Sequence, residues 1–160
     1  IVRERRPMFS GSPSPPSSQC DHRGVAYEST GRFGGNRAAV LDMREGQKVF
    51  HSLIVHYENG IAVQIEDRFV NAQVAPDYLK QDFTQQTPYA YLSQVAPLTE
   101  GEHVVEAILA EPSECKLLQI EKGEPCLLIR RRTWSGRQPV TAARLIHPGS
   151  RHRLEGRFHK

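Results

Sequence analysis

In VHYENGIAVQIEDRFV (residues 55–70), polar side chains able to hold a small molecule flank one turn. His56 precedes it, and Gln64, Glu66, Asp67 and Arg68 follow it in an otherwise β-branched run. An imidazole, a carboxylate and a guanidinium can together clamp an anion and accept an N–H. Two acids on a common face would add acid–base chemistry. Glu66 and Asp67 cannot form such a pair, because neighbours on a strand point to opposite faces. The histidines at 51, 103, 147, 152 and 159 lack the spacing of a helical or HxH metal site, so no metal or cofactor is expected. There is no nucleophile elbow and no HExxH, and Cys115 and Cys126 have no base nearby in sequence; both read as small core residues.

The register of the hairpin decides what meets what. A two-residue Asn59-Gly60 loop pairs Glu58 with Ile61 and mixes core and polar residues on both faces. A three-residue loop, with Gly60 left-handed in a bulge, pairs Tyr57 with Ile61, Val55 with Val63 and Leu53 with Ile65. It leaves Ser52, Ile54, His56, Ala62, Gln64, Glu66 and Arg68 on the opposite face. Burial selects the sorted version, since a one-residue slip exchanges the faces. The polar face is then either solvated or a pocket wall in which small Ala62 leaves space.

Around this hairpin, KVFHSLIVHY (48–57) and IAVQIEDRFV (61–70) read as strands. APDYLKQDF (75–83) reads as a short helix, and TPYAYLSQV (87–95) as a second, with Thr87 as N-cap and Pro88 first in the helix. EHVVEAILAE (102–111) reads as a strand, and PSECKLLQI (112–120) as a helix stopped by Gly123. EPCLLIRRRTW and PVTAARLIH form a second hairpin across SGRQ, and RHRLEGRF adds an edge strand. Hairpins interspersed with short helices give an α+β fold built on an antiparallel sheet.

Residues 1–37 read as a separate Ser/Pro- and Gly-rich leader, irregular apart from a short strand near Gly24–Glu28, ahead of a domain at 38–160. Of the chain's 21 basic and 18 acidic residues, six and three fall in that leader. The remainder carries 15 of each, so the basic excess does not point to nucleic acid. Arg130-Arg131-Arg132 beside Trp134 is no continuous patch either: alternation separates Arg131 from its neighbours, and surface salt bridges or a dimer contact are expected, with Arg130 or Arg132 the lesser candidates for the pocket. Arg144, across that hairpin, is equally ambiguous. Three cysteines without CxxC spacing indicate free thiols in a reducing compartment, and no apolar run is long enough for a membrane span or signal peptide. A cytoplasmic protein without membrane contact is expected.

The run REGQKVFHSLIVHYENGIAVQIEDRFVN, with APDYLKQDFTQQTPYAYLSQVAPL, EHVVEAIL, EPCLLIRRRTW and PGSRHRLEGRF in order, resembles the effector-binding (UTRA) domain of GntR-superfamily regulators. It is most similar to the branch that governs histidine utilisation. The resemblance covers about residues 38–160. It implies a chorismate-lyase-like α+β fold, a homodimer, and sensing of a small molecule without catalysis. Operator DNA would be gripped through an N-terminal winged-helix domain outside this chain. Relatives that bind sugar phosphates carry Arg-x-Arg where this sequence has Ile54 and His56, so a phosphate clamp is missing. The resemblance implies instead urocanate or a similar small acid. On it, Glu66 accepts from the ligand's imidazole, His56 stacks on or donates to the ring, and Thr87 caps a helix beside the anionic end. Arg68 pairs with the ligand carboxylate or a neighbouring acid, Gln64 supplies polar contacts, and Thr141 and Tyr89 (with Tyr91) are further candidates. The alternative is a lyase of the same fold acting on a small cyclic carboxylic acid.

Overall fold

The computed structural model describes the backbone of residues 2–5, 20–29 and 47–156, with side chains from 47 to 155. Two strands lie in the leader, four-residue β1 (Val2–Arg5) and ten-residue β2 (Cys20–Ser29), the second longer than the short strand expected near Gly24–Glu28. Then follow β3 (Val49–Glu58), β4 (Ile61–Asn71), α1 (Pro88–Val95), β5 (Glu100–Leu109), α2 (Pro112–Leu118), β6 (Pro125–Ser135), β7 (Gln138–Pro148) and β8 (Arg153–Gly156). β2 to β7 form one antiparallel sheet in the order β2-β3-β4-β7-β6-β5, while β1 pairs with β8. The remainder of the expected leader lies outside the described residues.

The first hairpin turns on two residues, not three. Asn59 and Gly60 both take positive φ (52° and 77°), the conformation of a tight two-residue turn, and Glu58 pairs with Ile61. Two positions further in, the ladder jumps from Tyr57–Ala62 to His56–Gln64, leaving Val63 as the extra residue of a bulge. The tighter turn and the bulge each move the register by one. Together they restore the expected sorting of faces, although the pairs are Val55–Ile65, Ile54–Glu66 and Leu53–Asp67. Ala62 is the exception. Lying on the turn side of the bulge, it packs with Val55, Ile65 and Leu118 on the opposite face, so it opens no space beside His56.

Each face of the sheet is covered by one helix. Phe50, Ile54 and Val70 pack under Leu92 and Tyr91 of α1, together with fully buried Tyr78. Val55, Ile65, Leu128 and Ile146 pack under Leu118 and Cys115's helix, α2, on the other side. α1 begins as expected: the Thr87 hydroxyl accepts from Ala90 N at 3.1 Å and Pro88 occupies the first turn. α2 is opened by a reciprocal cap between Glu111 and Glu114, and it ends at left-handed Gln119 (φ 54°), before Gly123. The helix expected over 75–83 is reduced to a 3₁₀ turn at Tyr78–Lys80. Asn71 and Asp82 each accept from the backbone N–H two residues on (3.0 and 2.9 Å), holding the chain in turns before and after it.

The C-terminal part is locked back onto the sheet by Arg151. Its Nη1 donates to the carbonyls of Ala62 (2.6 Å) and Leu118 (2.7 Å), and its Nη2 to that of Gln119 (3.2 Å). This one guanidinium ties the end of α2 to the start of β4. Arg151→Ala is expected to cost about 2 kcal/mol of unfolding free energy, measured by urea denaturation, because charged donors to carbonyls are worth more than neutral ones. A loss below about 0.5 kcal/mol would show the latch to be incidental.

Candidate functional site

Alternation places Ser52, Ile54 and His56 of β3, Gln64, Glu66 and Arg68 of β4, Thr141, Ala143, Leu145 and His147 of β7, Arg131 and Thr133 of β6, and His103 of β5 on the α1 side of the sheet. Where α1 stops covering that face, a cleft of about 570 Å³ opens, within the range of small-molecule sites. Its rim is formed by Thr87 and Tyr89 at the start of α1 and by the Leu98–Gly101 segment leading into β5.

At the centre is a buried ionic row. Arg68 Nε donates to Glu66 Oε1 at 2.6 Å, and His56 Nε2 lies 3.0 Å from Glu66 Oε2. Arg68 Nη1 donates to Thr141 Oγ1 at 2.9 Å, and that hydroxyl is 3.0 Å from Thr133 Oγ1. Glu66, His56 and Arg68 are all at least 95% buried. Burial by itself would raise the Glu66 carboxyl, but Arg68 beside it and the bond to His56 outweigh that and hold its pKa at about 2. For Arg68, burial opposes the charge and Glu66 more than restores it. An ionised carboxylate only accepts, so His56 Nε2 carries the proton of that contact.

Of the residues singled out in the sequence, His56, Gln64, Glu66, Arg68, Thr87 and Tyr89 line this cleft. Thr141 does not: it is 1% exposed and sits behind Arg68 as its hydrogen-bond acceptor. Tyr91 is core, packed against Tyr78 with ring centroids 6.2 Å apart. Asp67 faces the other side of the sheet, bonded to His51 at 2.7 Å and near Arg144 at 3.6 Å, and Arg144 continues to Glu114 of α2.

The arginine run splits as alternation requires, but Arg131 is the member in the cleft. Arg130 pairs with Glu106 at 2.7 Å and Arg132 approaches Glu102 at 3.9 Å while lying over Trp134, both on the far face. Arg131 Nε donates to His103 Nε2 at 2.7 Å on the cleft wall. His103, Arg131, Thr133 and His147 were not among the sequence candidates. Their strand parity relative to Cys126 and Leu128 held the signal, once α2 is known to cover those two. Among the described residues, no cluster of three or more His, Cys, Asp or Glu could hold a metal ion, and no helix is long and apolar enough to cross a membrane.

His147 is the other perturbed group. Burial and the neighbouring His152 ring, 3.9 Å away and stacked, lower its pKa to about 3 against a backbone hydrogen bond with Val63, with smaller contributions from His56 and Arg131. The cleft therefore presents a neutral imidazole beside an ion pair, with Arg131 as a second cationic side chain. This arrangement favours a small anion with directional polar groups.

Comparison with known proteins adds a second line. The sequence model of the UTRA domain matches residues 34–153. Over 127 residues, 79% of the chain, it is 87% identical to a histidine utilization repressor of Pseudomonas putida, and 62% identical over 122 residues (76% of the chain) to one from Klebsiella aerogenes. Each match spans 51% of the relative, so the chain covers about half the length of these curated proteins. The crystal structure of the C-terminal domain of the histidine utilization repressor from Pseudomonas syringae pv. tomato DC3000 superposes with a TM-score of 0.82 at 81% identity, covering 88% of this chain and 99% of that one.

Proposed function

The chain belongs to the UTRA domain family, and from that premise we propose that it is the effector-sensing and dimerising module of a transcriptional repressor of histidine breakdown, responding to urocanate or a similar small acid. The observation that carries the reading is the buried His56–Glu66–Arg68 row at the base of a cleft of ligand size. The names of relatives at 87% and 62% identity support the biological context. Urocanate is flat, carries one carboxylate, and ends in an imidazole with both an N–H and a lone pair. A cleft with fixed donors, a fixed carboxylate and no Arg-x-Arg clamp at positions 54 and 56 suits that chemistry better than a sugar phosphate.

In this reading the ligand carboxylate lies toward Thr87 and the first turn of α1, whose N–H groups and dipole favour negative charge. His56, Gln64 and Arg68 face its ring and side chain, and Tyr89 walls the rim. Residues 38–160 act as the sensing unit in the cytoplasm. Exposed Val104 and Val105 on the edge strand β5 fit a contact between two copies. Operator DNA is held by a winged-helix domain elsewhere in the full-length protein. The effector acts by binding one dimer geometry better than another, since it can shift an equilibrium only by its differential affinity. β2 is placed to report that shift, because it pairs along the whole of β3, with His22 opposite His56.

Calorimetric titration with urocanate tests the reading, and saturable binding at one site per chain is the expected result. Absence of binding would overturn it. Incubation with chorismate separates the alternative: product formation would move the assignment to a lyase of the same fold.

A further inference from the structure

β5 is the outer strand of the sheet and runs straight: it pairs with β6 from Glu100–Trp134 to Leu109–Pro125 without a bulge. Its other edge meets no strand among the described residues. Neither side of the strand is well covered. Val104 (46% exposed) points to the α2 side, and Val105 (42%) and Leu109 (67%) point to the cleft side. Long open edges recruit another strand unless a proline, a lysine or a bulge blunts them, and β5 has none of these. Two of its three glutamates are answered within its own sheet, Glu106 by Arg130 at 2.7 Å and Glu102 by Arg132 at 3.9 Å.

Resting on the dimerising role proposed above, we propose that a second copy of the chain seats on this edge, β5 against β5 in antiparallel register centred on Val105. Two six-stranded sheets then join into one. A strand that pairs with its own copy about a two-fold axis sets opposite each other only residues of equal parity, because facing side chains share one side of the sheet. Two such registers use the full strand. Centring on Val104 sets Glu102 against the partner's Glu106, and the same again across the axis, a like-charge clash. Centring on Val105 sets no carboxylate against another: Val105 meets the partner's Val105, Val104 the partner's Glu106, Glu102 the partner's Ile108 and Gly101 the partner's Leu109. Charge selects the second register. Shape agrees, since exposed Leu109 comes to lie over a residue with no side chain. Gly101 and His103 line the cleft, so the partner's Leu109 and the partner's Ala107 complete its β5 rim. An effector seated in one chain thereby bears on the joint between two.

Introduced cysteines test the register, with the wild type and its own three cysteines as background. In Val105→Cys the two new thiols face each other across the axis, at the Cα separation of about 4.5–5.5 Å that a disulfide spans. Oxidised glutathione, which takes the electrons of the thiol pair, is expected to convert most of this variant into a covalent dimer on a non-reducing gel. Val104→Cys, offset from its copy by two residues, is expected to stay at background. Cross-linking of Val104→Cys instead, or of neither variant, overturns the inference. Val105→Lys sets two ammonium groups against each other at an exposed position. It is expected to raise the dimer dissociation constant about a hundredfold in sedimentation experiments. Val95→Lys, equally exposed on α1, is expected to leave that constant unchanged. A dimer unmoved by Val105→Lys overturns the inference, and a monomeric wild type overturns it together with the dimerising role. Titration with urocanate keeps the two readings apart. Binding without the Val105→Cys cross-link removes only this interface, and the cross-link without binding removes only the effector.

Discussion

Glu66→Gln is expected to lower unfolding free energy by about 3–5 kcal/mol and to weaken binding of urocanate by at least tenfold. The substitution is nearly isosteric, so packing barely changes. What it removes is the carboxylate charge paired with a 97% buried guanidinium: Arg68 Nε loses a carboxylate at 2.6 Å, and His56 loses its acceptor at 3.0 Å. An uncompensated buried cation is far worse than no ion pair at all. Hence the double variant Glu66→Gln with Arg68→Met is expected to recover most of the stability and none of the binding. Urea denaturation at pH 7 reads the first effect and calorimetry the second. A single variant within about 1 kcal/mol of wild type would show that the row is hydrated and not truly buried.

Acid is expected to act on the same site in two stages. The His147 pKa is about 3 in the folded protein against the ordinary imidazole value of 6.5. The unfolded chain therefore takes up that proton first, and its contribution, complete above pH 6.5, falls by about 1.4 kcal/mol per pH unit as pH drops toward 3. Glu66, at about 2 against 4.5, adds a second loss below pH 4.5 that runs to pH 2 and totals about 3 kcal/mol. Both groups have depressed folded values, so both lose stability in the same direction. Between pH 7 and 4.5 the wild type is expected to lose about 2–3 kcal/mol from His147 alone. His147→Gln should flatten the limb above pH 4.5 and reduce the slope between pH 4.5 and 3 by about half, leaving the loss due to Glu66. An unchanged slope in the variant would assign the loss to other groups.

The sheet, the two hairpins and both α-helices were legible in the sequence because their signals are local: alternation, Asn-Gly, Thr-Pro and Pro-Ser-Glu. The 75–83 segment was not, because Asn71 and Asp82 capture the backbone on either side of Tyr78, and that competition is invisible to a periodicity argument. Within the site, His56, Glu66 and Arg68 emerged from the parity of one hairpin. Arg131, His103 and His147 depend on how β5, β6 and β7 register against that hairpin and on which face α2 covers, neither of which a single strand records. Thr141 was singled out correctly as to face and wrongly as to depth, since only the filled geometry shows Arg68 lying over it. The register itself was recovered through two compensating errors, a turn one residue too long and a bulge not foreseen.

That bulge has a consequence for how this arm tolerates insertions and deletions. With Val63 excised, Tyr57 still meets Ala62, His56 still meets Gln64, and the ladder becomes regular with every facing preserved. Excising a residue between Gln64 and Arg68 has the opposite outcome: everything on the turn side of the cut is inverted relative to β3 unless the ladder re-frames. Position 63 is thus a point of slack at which the arm can change length while the chemistry on its flank stays in frame.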